Sequence, residues 1–173
     1  GIAHGTVTLV RDGVGFEVTT LRHDVETFGR HATVAFGADF QADARRRDFT
    51  INALALAPDG AVIDYCGGLA DLAERRLRFI GDADARIHED YLRILRFFRF
   101  HAQYGRGPLD AAGYAACIRG RAGLSGLSRE RIRAETLKLL VAPRAAEALA
   151  AMGAFSASMK GSSQATACFI TRA

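Results

Sequence analysis

At residue 84 the hydrophobic period of this chain changes, and that change restricts its fold more than any other feature. Before it, apolar and polar residues alternate. Residues 6–10 and 15–21 read as two strands turned by Asp12-Gly13, and 54–57 and 61–65 as a second hairpin across Pro58-Asp59-Gly60. A helix over 42–55 interrupts them, and a shorter one over 69–76 follows the break at Gly67-Gly68, with 77–80 extended. After residue 84 apolar residues recur three and four apart, which predicts helices at 84–104, 110–122, 128–141 and 143–155. Ser128 is placed to cap the third of these, and Pro143 suits the first turn of the fourth. Strands with one helix, then helices alone, predict an α+β chain of two units joined near residues 66–68. With 173 residues and 49% hydrophobic content, the chain has material for one domain or two small ones, which excludes global disorder.

Charge and cysteines bound the partners. Residues 85–138 hold eleven Arg or Lys against five Asp or Glu, a surplus of six where the whole chain has +4. A basic second half suits a polyanion such as RNA or DNA, and it equally suits solvated helix faces. Cys66, Cys117 and Cys168 are too scattered for a disulfide framework or a zinc site, so a reducing compartment is expected. No apolar run is long enough to span a bilayer, and the first residues do not form a signal peptide. The chain opens at Gly1 on strand-like sequence, as if from within a domain, and 161–166 loses helical period like a loose tail.

Three clusters carry chemistry. The run 88–100 predicts an amphipathic helix with Glu89, Asp90, Arg93 and Arg96 on its polar face. A carboxylate beside a guanidinium offers an acceptor next to a fork of donors, which suits the edge of a nucleobase. The same residues equally make a surface ion pair worth about 0.3–0.5 kcal/mol. In Arg46-Arg47-Asp48-Phe49-Thr50-Ile51-Asn52, Asp48 and Asn52 stand four apart beside two arginines, a set suited to a ribose and its phosphates or to a helix-internal ion pair. Asp64, Gly67-Gly68, Asp71 and Leu72 look architectural. Asp82-Ala83-Asp84 reads as a helix cap with a first-turn acid. Ser125 and Ser128 lack a nearby His to activate them, and His23, His31 and His101 lack metal-ligand spacing.

Taken in order, these clusters resemble those of class II tRNA nucleotidyltransferases, the CCA-adding enzymes, and of the related bacterial poly(A) polymerases. His4 to Thr8 and Phe16 to Arg22, with Asp24, are similar to the strands that follow that family's first catalytic motif. Arg46, Arg47, Asp48 and Asn52 are similar to its ribose-selecting motif, and Asp64 to Leu72 to its joint between head and neck. Glu89-Asp90-Tyr91-Leu92-Arg93 matches its base-reading Glu-Asp-x-x-Arg motif, and Ser128, Glu130, Arg131, Glu135 and Lys138 resemble a fifth motif supporting the neck. Tyr91 with Arg96 to Phe100 looks most like the mitochondrial and α-proteobacterial type.

The resemblance implies a partial nucleotidyltransferase head over 1–66, an all-α neck over 67–142, and the start of a body helix with a tail over 143–173. It implies ATP and CTP as substrates, a tRNA 3′ end as partner, no membrane, and a bacterial cytoplasm or mitochondrial matrix as location. Arg46, Arg47, Asp48, Asn52, Glu89, Asp90, Arg93 and Arg96 become the nucleotide-binding residues. In that family Mg²⁺ is held by an Asp-x-Asp pair on a strand, which this sequence does not contain, and Glu17 is the remaining catalytic candidate. The expected activity is CMP and AMP addition by the parent enzyme, with this chain inactive alone. The alternatives are a poly(A) polymerase piece or a nucleotide- or RNA-binding remnant without catalysis.

Overall fold

A computed structural model describes residues 6–20, 22–28, 31–36 and 39–157, which divide by their contacts into two compact units, 1–47 and 48–173. The sequence places its joint at 66–68 instead, after the second hairpin. His4, Gly5, Leu21 and the tail at 161–166 lie outside the described residues.

In the first unit, β1 (Thr6–Arg11) and β2 (Val14–Thr19) form an antiparallel hairpin, with Val7 opposite Val18 and Leu9 opposite Phe16. Asp12 and Gly13 both take positive φ, 53° and 77°, the twist a two-residue hairpin turn requires. β3 (Arg22–Phe28) and β4 (His31–Phe36) form a second hairpin with a bulge between Asp24 and Glu26. α1 (Phe40–Arg45) follows, capped by Asp39, whose carboxylate accepts from Gln41 and Ala42 amides.

The expected helix 42–55 therefore ends ten residues early. Beyond Arg47 the backbone extends through Phe49, which forms a bridge with Phe79: Thr50 N–H donates to Arg78 C=O and Ile80 N–H to Asp48 C=O, at 3.1 and 3.0 Å. Burial of the Phe49 ring, 4.9 Å from that of Phe79, overrides local helix propensity. A 3₁₀ turn, Thr50–Asn52, leads to the short hairpin β5 (Ala55–Leu56) and β6 (Val62–Ile63).

α2 (Gly68–Ala73) opens on Asp64, whose carboxylate accepts from the amides of Cys66, Gly68 and Leu69. Burial pushes the Asp64 carboxyl up, but these backbone donors prevail and hold it below the usual carboxylate range. Asp71 is fully buried and accepts from Thr50 Oγ1 at 2.6 Å and from the guanidiniums of Arg76 and Arg78. This group is architectural, as its glycines indicate, and it seats α2 on the Thr50 turn.

The remaining helices are α3 (Ala83–Glu89), α4 (Leu92–Tyr104), α5 (Ala111–Gly120), α6 (Arg129–Leu140) and α7 (Ala145–Ala157). α4 is their centre. Its Ile94, Leu95, Phe97, Phe98, His101 and Ala102 are buried at helical spacing, and it packs on α6 and α7 while α3 packs on α5. Asp82 caps α3 through the Ala85 amide, and Ser128 caps α6 through the Arg131 amide, both as the sequence indicates. α5 ends at Gly120 and gives way to a 3₁₀ stretch at Arg121–Gly126, where Gly120, Gly123 and Gly126 weaken the α-helix. Pro143 lies two residues before α7 rather than within its first turn.

The expected single helix 84–104 is two. Asp90 is extended, at φ −157° and ψ 106°, and its Oδ1 accepts from Leu92 N–H at 3.1 Å, so a short side chain competes with the helical ladder and ends it. Glu89, Asp90, Arg93 and Arg96 consequently do not share one helix face. Among the described residues no helix is long and apolar enough to cross a membrane.

Arg144 fastens α7 to the end of α4. Its guanidinium donates to Gly105 C=O and meets His101 Nε2 at 3.1 Å, and its backbone N–H donates to Ala102 C=O. Burial first, and then the Arg144 charge, push the His101 imidazole below its ordinary value, while Glu147 acts weakly the other way. The fold thus prefers neutral His101. Its contribution to stability is whole above the ordinary imidazole value of about 6.5 and is lost as pH falls through the lower folded value. The urea midpoint of the wild type should fall over that range more than that of His101→Gln, and equal slopes would refute the assignment.

Gly68 touches the Thr50 turn so closely that a Cβ there would meet the Thr50 carbonyl, whereas a Cβ on Gly126 meets nothing within 4 Å. Gly68→Ala should lower stability by about 2 kcal/mol, as overpacking does, with Gly126→Ala within about 0.5 kcal/mol of wild type. Thermal melts of the two variants check this.

Candidate nucleotide-binding site

Each candidate residue is held by a specific partner. In the first unit, Arg46 and Arg47 both grip Asp43: Nε of Arg46 lies 2.9 Å from Oδ1, and Nη2 of Arg47 lies 3.0 Å from Oδ2. Asp43 is buried. Burial pushes its carboxyl up, but the Arg46 and Arg47 guanidiniums prevail and hold it below the usual range. The pair of arginines around one acid leaves a cluster of net charge +1. Glu17 sits exposed on β2 opposite Thr8.

In the second unit Asp48 is 5% exposed, and three donors converge on it. Phe49 N–H and Asn52 Nδ2 donate to Oδ1 at 3.0 and 2.9 Å, and Arg96 Nε donates to Oδ2 at 2.6 Å. Asp48 and Asn52 meet across a 3₁₀ turn instead of along a helix face, and the ion pair runs to α4, not within a helix. The Arg96 guanidinium also lies over the Phe100 ring, 5.1 Å from its centroid, with Arg99 at 4.1 Å.

The Glu-Asp-x-x-Arg cluster spans the break between α3 and α4. Arg93 donates to Glu89 across the break and, at 2.8 Å, to Arg86 C=O, and Arg86 in turn pairs with Glu89 at 2.7 Å. Asp90 points elsewhere for its partner: Arg131 Nη2 on α6 donates to its Oδ2 at 2.6 Å. Arg93 and Arg96 are three apart on α4 and so lie on neighbouring positions of one face. The structure thus brings Asn52, Asp48 and Arg96 together, and Glu89, Arg93 and Arg86 together, with both sets attached to the first turns of one helix.

Sequence reasoning did not single out Asp43 or Arg86, and it named Arg99 only within the run Arg96 to Phe100. Arg99 pairs with buried Glu135 on α6. For Asp43 the signal is available in the spacing, since it precedes Arg46 and Arg47 by three and four.

Mg²⁺ needs convergent oxygen ligands. Among the described residues no three His, Cys, Asp or Glu side chains form a group able to hold a metal. Asp82 is engaged as a helix cap, and Asp84 pairs with Arg119 at 2.5 Å. These residues do not fit a magnesium site.

Comparison with known proteins now bears on this geometry. Residues 1–78 match the family described as the Poly A polymerase head domain. The mitochondrial CCA tRNA nucleotidyltransferase 1 of Danio rerio is 48% identical over 151 residues, covering 86% of this chain and 35% of that protein. The CCA-adding enzyme of Leuconostoc citreum (strain KM20) is 42% identical over 153 residues, covering 86% and 37%. The chain is homologous to the CCA-adding enzymes. It spans about a third of the length of these relatives. The solved Bacillus stearothermophilus CCA-adding enzyme in complex with CTP superposes with TM-score 0.78 at 36% identity, over 88% of this chain and 36% of that one. The Thermotoga maritima CCA-adding enzyme complexed with tRNA gives 0.69 at 26% identity, over 89% and 35%. An α+β arrangement of strands followed by helices is therefore shared with the CCA-adding enzymes.

A double-mutant cycle tests the Asp48–Arg96 clasp. Asp48→Ala should cost about 2 kcal/mol or more, because it strands the Arg96, Asn52 and Phe49 donors. The cycle with Arg96→Ala should return a coupling of about 0.5–3 kcal/mol by urea denaturation, and additive losses would deny the clasp.

Proposed function

We propose that this chain belongs to an apparatus for template-free addition of CMP and AMP, from CTP and ATP, to a tRNA 3′ end with release of pyrophosphate. The observation that carries the reading is the shared support of two clusters on α4: Arg93 held by Glu89, and Arg96 held by Asp48. Kinship with CCA-adding enzymes over most of the chain agrees with it.

The chemistry of selection follows from donors and acceptors. Cytosine and adenine each present an exocyclic amino donor beside a ring-nitrogen acceptor. Asp90 supplies the acceptor and Arg93 the donor. Guanine and uracil present a carbonyl and a ring N–H at those places, so they meet like against like. Glu89 and the Arg86 carbonyl fix the Arg93 fork, so less ordering is required on binding. Asp48 is buried and already accepts three hydrogen bonds, so it acts on the nucleotide by orienting Asn52 and Arg96. Asn52 meets the ribose, and Arg96 supplies charge for phosphates.

Phosphoryl transfer is chiefly positioning and charge stabilisation around metal ions. The one Asp-x-Asp of this sequence is committed to a helix cap and to Arg119. The chain is accordingly proposed to bind nucleotides without transferring them, while its CCA-adding relatives represent the complete reaction.

Two measurements test the reading. Incubation with Mg²⁺, labelled CTP and ATP, and tRNA lacking its CCA end should give no incorporation, and labelled product would overturn the non-catalytic assignment. Arg93→Ala should weaken CTP and ATP about tenfold or more, by loss of a charge-assisted hydrogen bond. GTP, UTP and tripolyphosphate should change little, and an equal loss for all of them would refute base reading by Arg93.

A further inference from the structure

The acceptor and the donor of the proposed base-reading pair are held by different parts of the fold. Arg93 is fixed from α3, by Glu89 and the Arg86 carbonyl. Asp90 lies in the break, where no helical ladder constrains it, and its side chain has two partners. One is the Leu92 amide next to it, and the other is Arg131, forty-one residues away on α6. Arg131 is itself placed firmly, because its amide is the one that Ser128 caps, and one turn further along α6 Glu135 pairs with Arg99 of α4. α6 therefore meets both the break and the body of α4.

A second contact sets the same break. The Tyr91 ring lies against Gly123 of the 3₁₀ stretch, so that a Cβ at Gly123 would occupy the place of the ring, and Tyr91 also meets His88 edge-on at 5.9 Å. The residue that follows Asp90 is thus buttressed from the segment leading into α6.

From this we infer that Arg131 is a positioning residue for nucleotide selection: it orients the Asp90 carboxylate toward the amino group of cytosine or adenine, with Gly123 seating Tyr91 behind it. The inference rests on the proposed base-reading role of Asp90. A carboxylate oxygen accepts about two hydrogen bonds, so Oδ1 and Oδ2 each keep room for a base donor while the Leu92 amide and Arg131 hold the group in one rotamer. Without Arg131 the side chain is tethered at one oxygen only, and binding must supply the ordering.

The test uses the chain itself, titrated with CTP, ATP, GTP and UTP while amide exchange is followed by NMR. Arg131→Met, which keeps the aliphatic stem, should weaken CTP and ATP about three- to tenfold, the range of one ordered side chain, and leave GTP and UTP unchanged. Arg131→Lys, retaining a cation at Asp90, should recover part of the loss. The Leu92 amide should exchange faster in Arg131→Met than in wild type and return toward wild type in the Lys variant. Gly123→Ala should reduce the CTP and ATP preference in the same direction. Equal weakening of all four nucleotides would make Arg131 a general phosphate attractor and overturn the inference, as would unchanged preference with unchanged Leu92 exchange. A wild-type chain that binds all four alike would defeat base reading by Asp90, while accelerated Leu92 exchange in Arg131→Met would still establish the hold of Arg131 on Asp90.

Discussion

The pairing of Asp48 with Arg96 is the constraint on which the helical unit's candidate chemistry depends. A carboxylate that is 5% exposed must be compensated or expelled, and here one guanidinium and two neutral donors compensate it. Such a pair is a weak source of net stability, because two apolar side chains of like volume would fill the place as well. Its effect is geometric. It binds the turn at 50–52 to α4, fixes the Asn52 amide, and holds the Arg96 guanidinium over the Phe100 ring. Replacing it with apolar packing would preserve a core and remove that orientation.

The break at Asp90 complements this arrangement. Had α3 and α4 been continuous, Asp90 and Arg93 would stand at fixed helical offsets and take their partners from one surface. Extended backbone at Asp90 frees its carboxylate to reach α6, while Arg93 reaches back to the last turn of α3. An acceptor and a donor supported from separate helices are aimed independently of one another. The same logic explains why aromatic packing is dense just behind the break: Phe97, Phe98 and Phe79 interlock, with Phe79 and Phe97 stacked at 5.3 Å, and leave α4 little freedom to shift.

Period and turn chemistry made the helices after residue 84 and the Asp12-Gly13 hairpin legible, because both are local properties. The break at Asp90 was hidden for a local reason too: Glu, Tyr, Leu and Arg around it all tolerate a helix, and only the hydrogen bond from Leu92 N–H to Asp90 marks the interruption. The end of α1 was hidden for a distant one, since Phe49 leaves the helix to bridge Phe79, thirty residues on. Candidate residues were readable as types, and homology with CCA-adding enzymes agrees with the family to which they were referred. Their partners were not readable, because Asp48 with Arg96 and Asp90 with Arg131 join positions 48 and 41 residues apart that no spacing rule connects.

Those pairings also alter the meaning of the chain's basic charge. A count of Arg and Lys in residues 85–138 suggests a broadly cationic surface, yet many of those guanidiniums face carboxylates within the fold. Arg86 and Arg93 meet Glu89, Arg96 meets Asp48, Arg99 meets Glu135, Arg119 meets Asp84 and Arg131 meets Asp90. On α6 the exposed Arg129 and Arg133 have no ion-pair partner among the described residues, and they flank Arg131 in the sequence. Long-range attraction follows the uncompensated charge rather than the number of arginines. The charge left uncompensated therefore includes Arg129 and Arg133 of α6, on either side of the residue that holds Asp90, with exposed Glu130 between them. A polyanion drawn to Arg129 and Arg133 would arrive beside Arg131, the residue that holds Asp90.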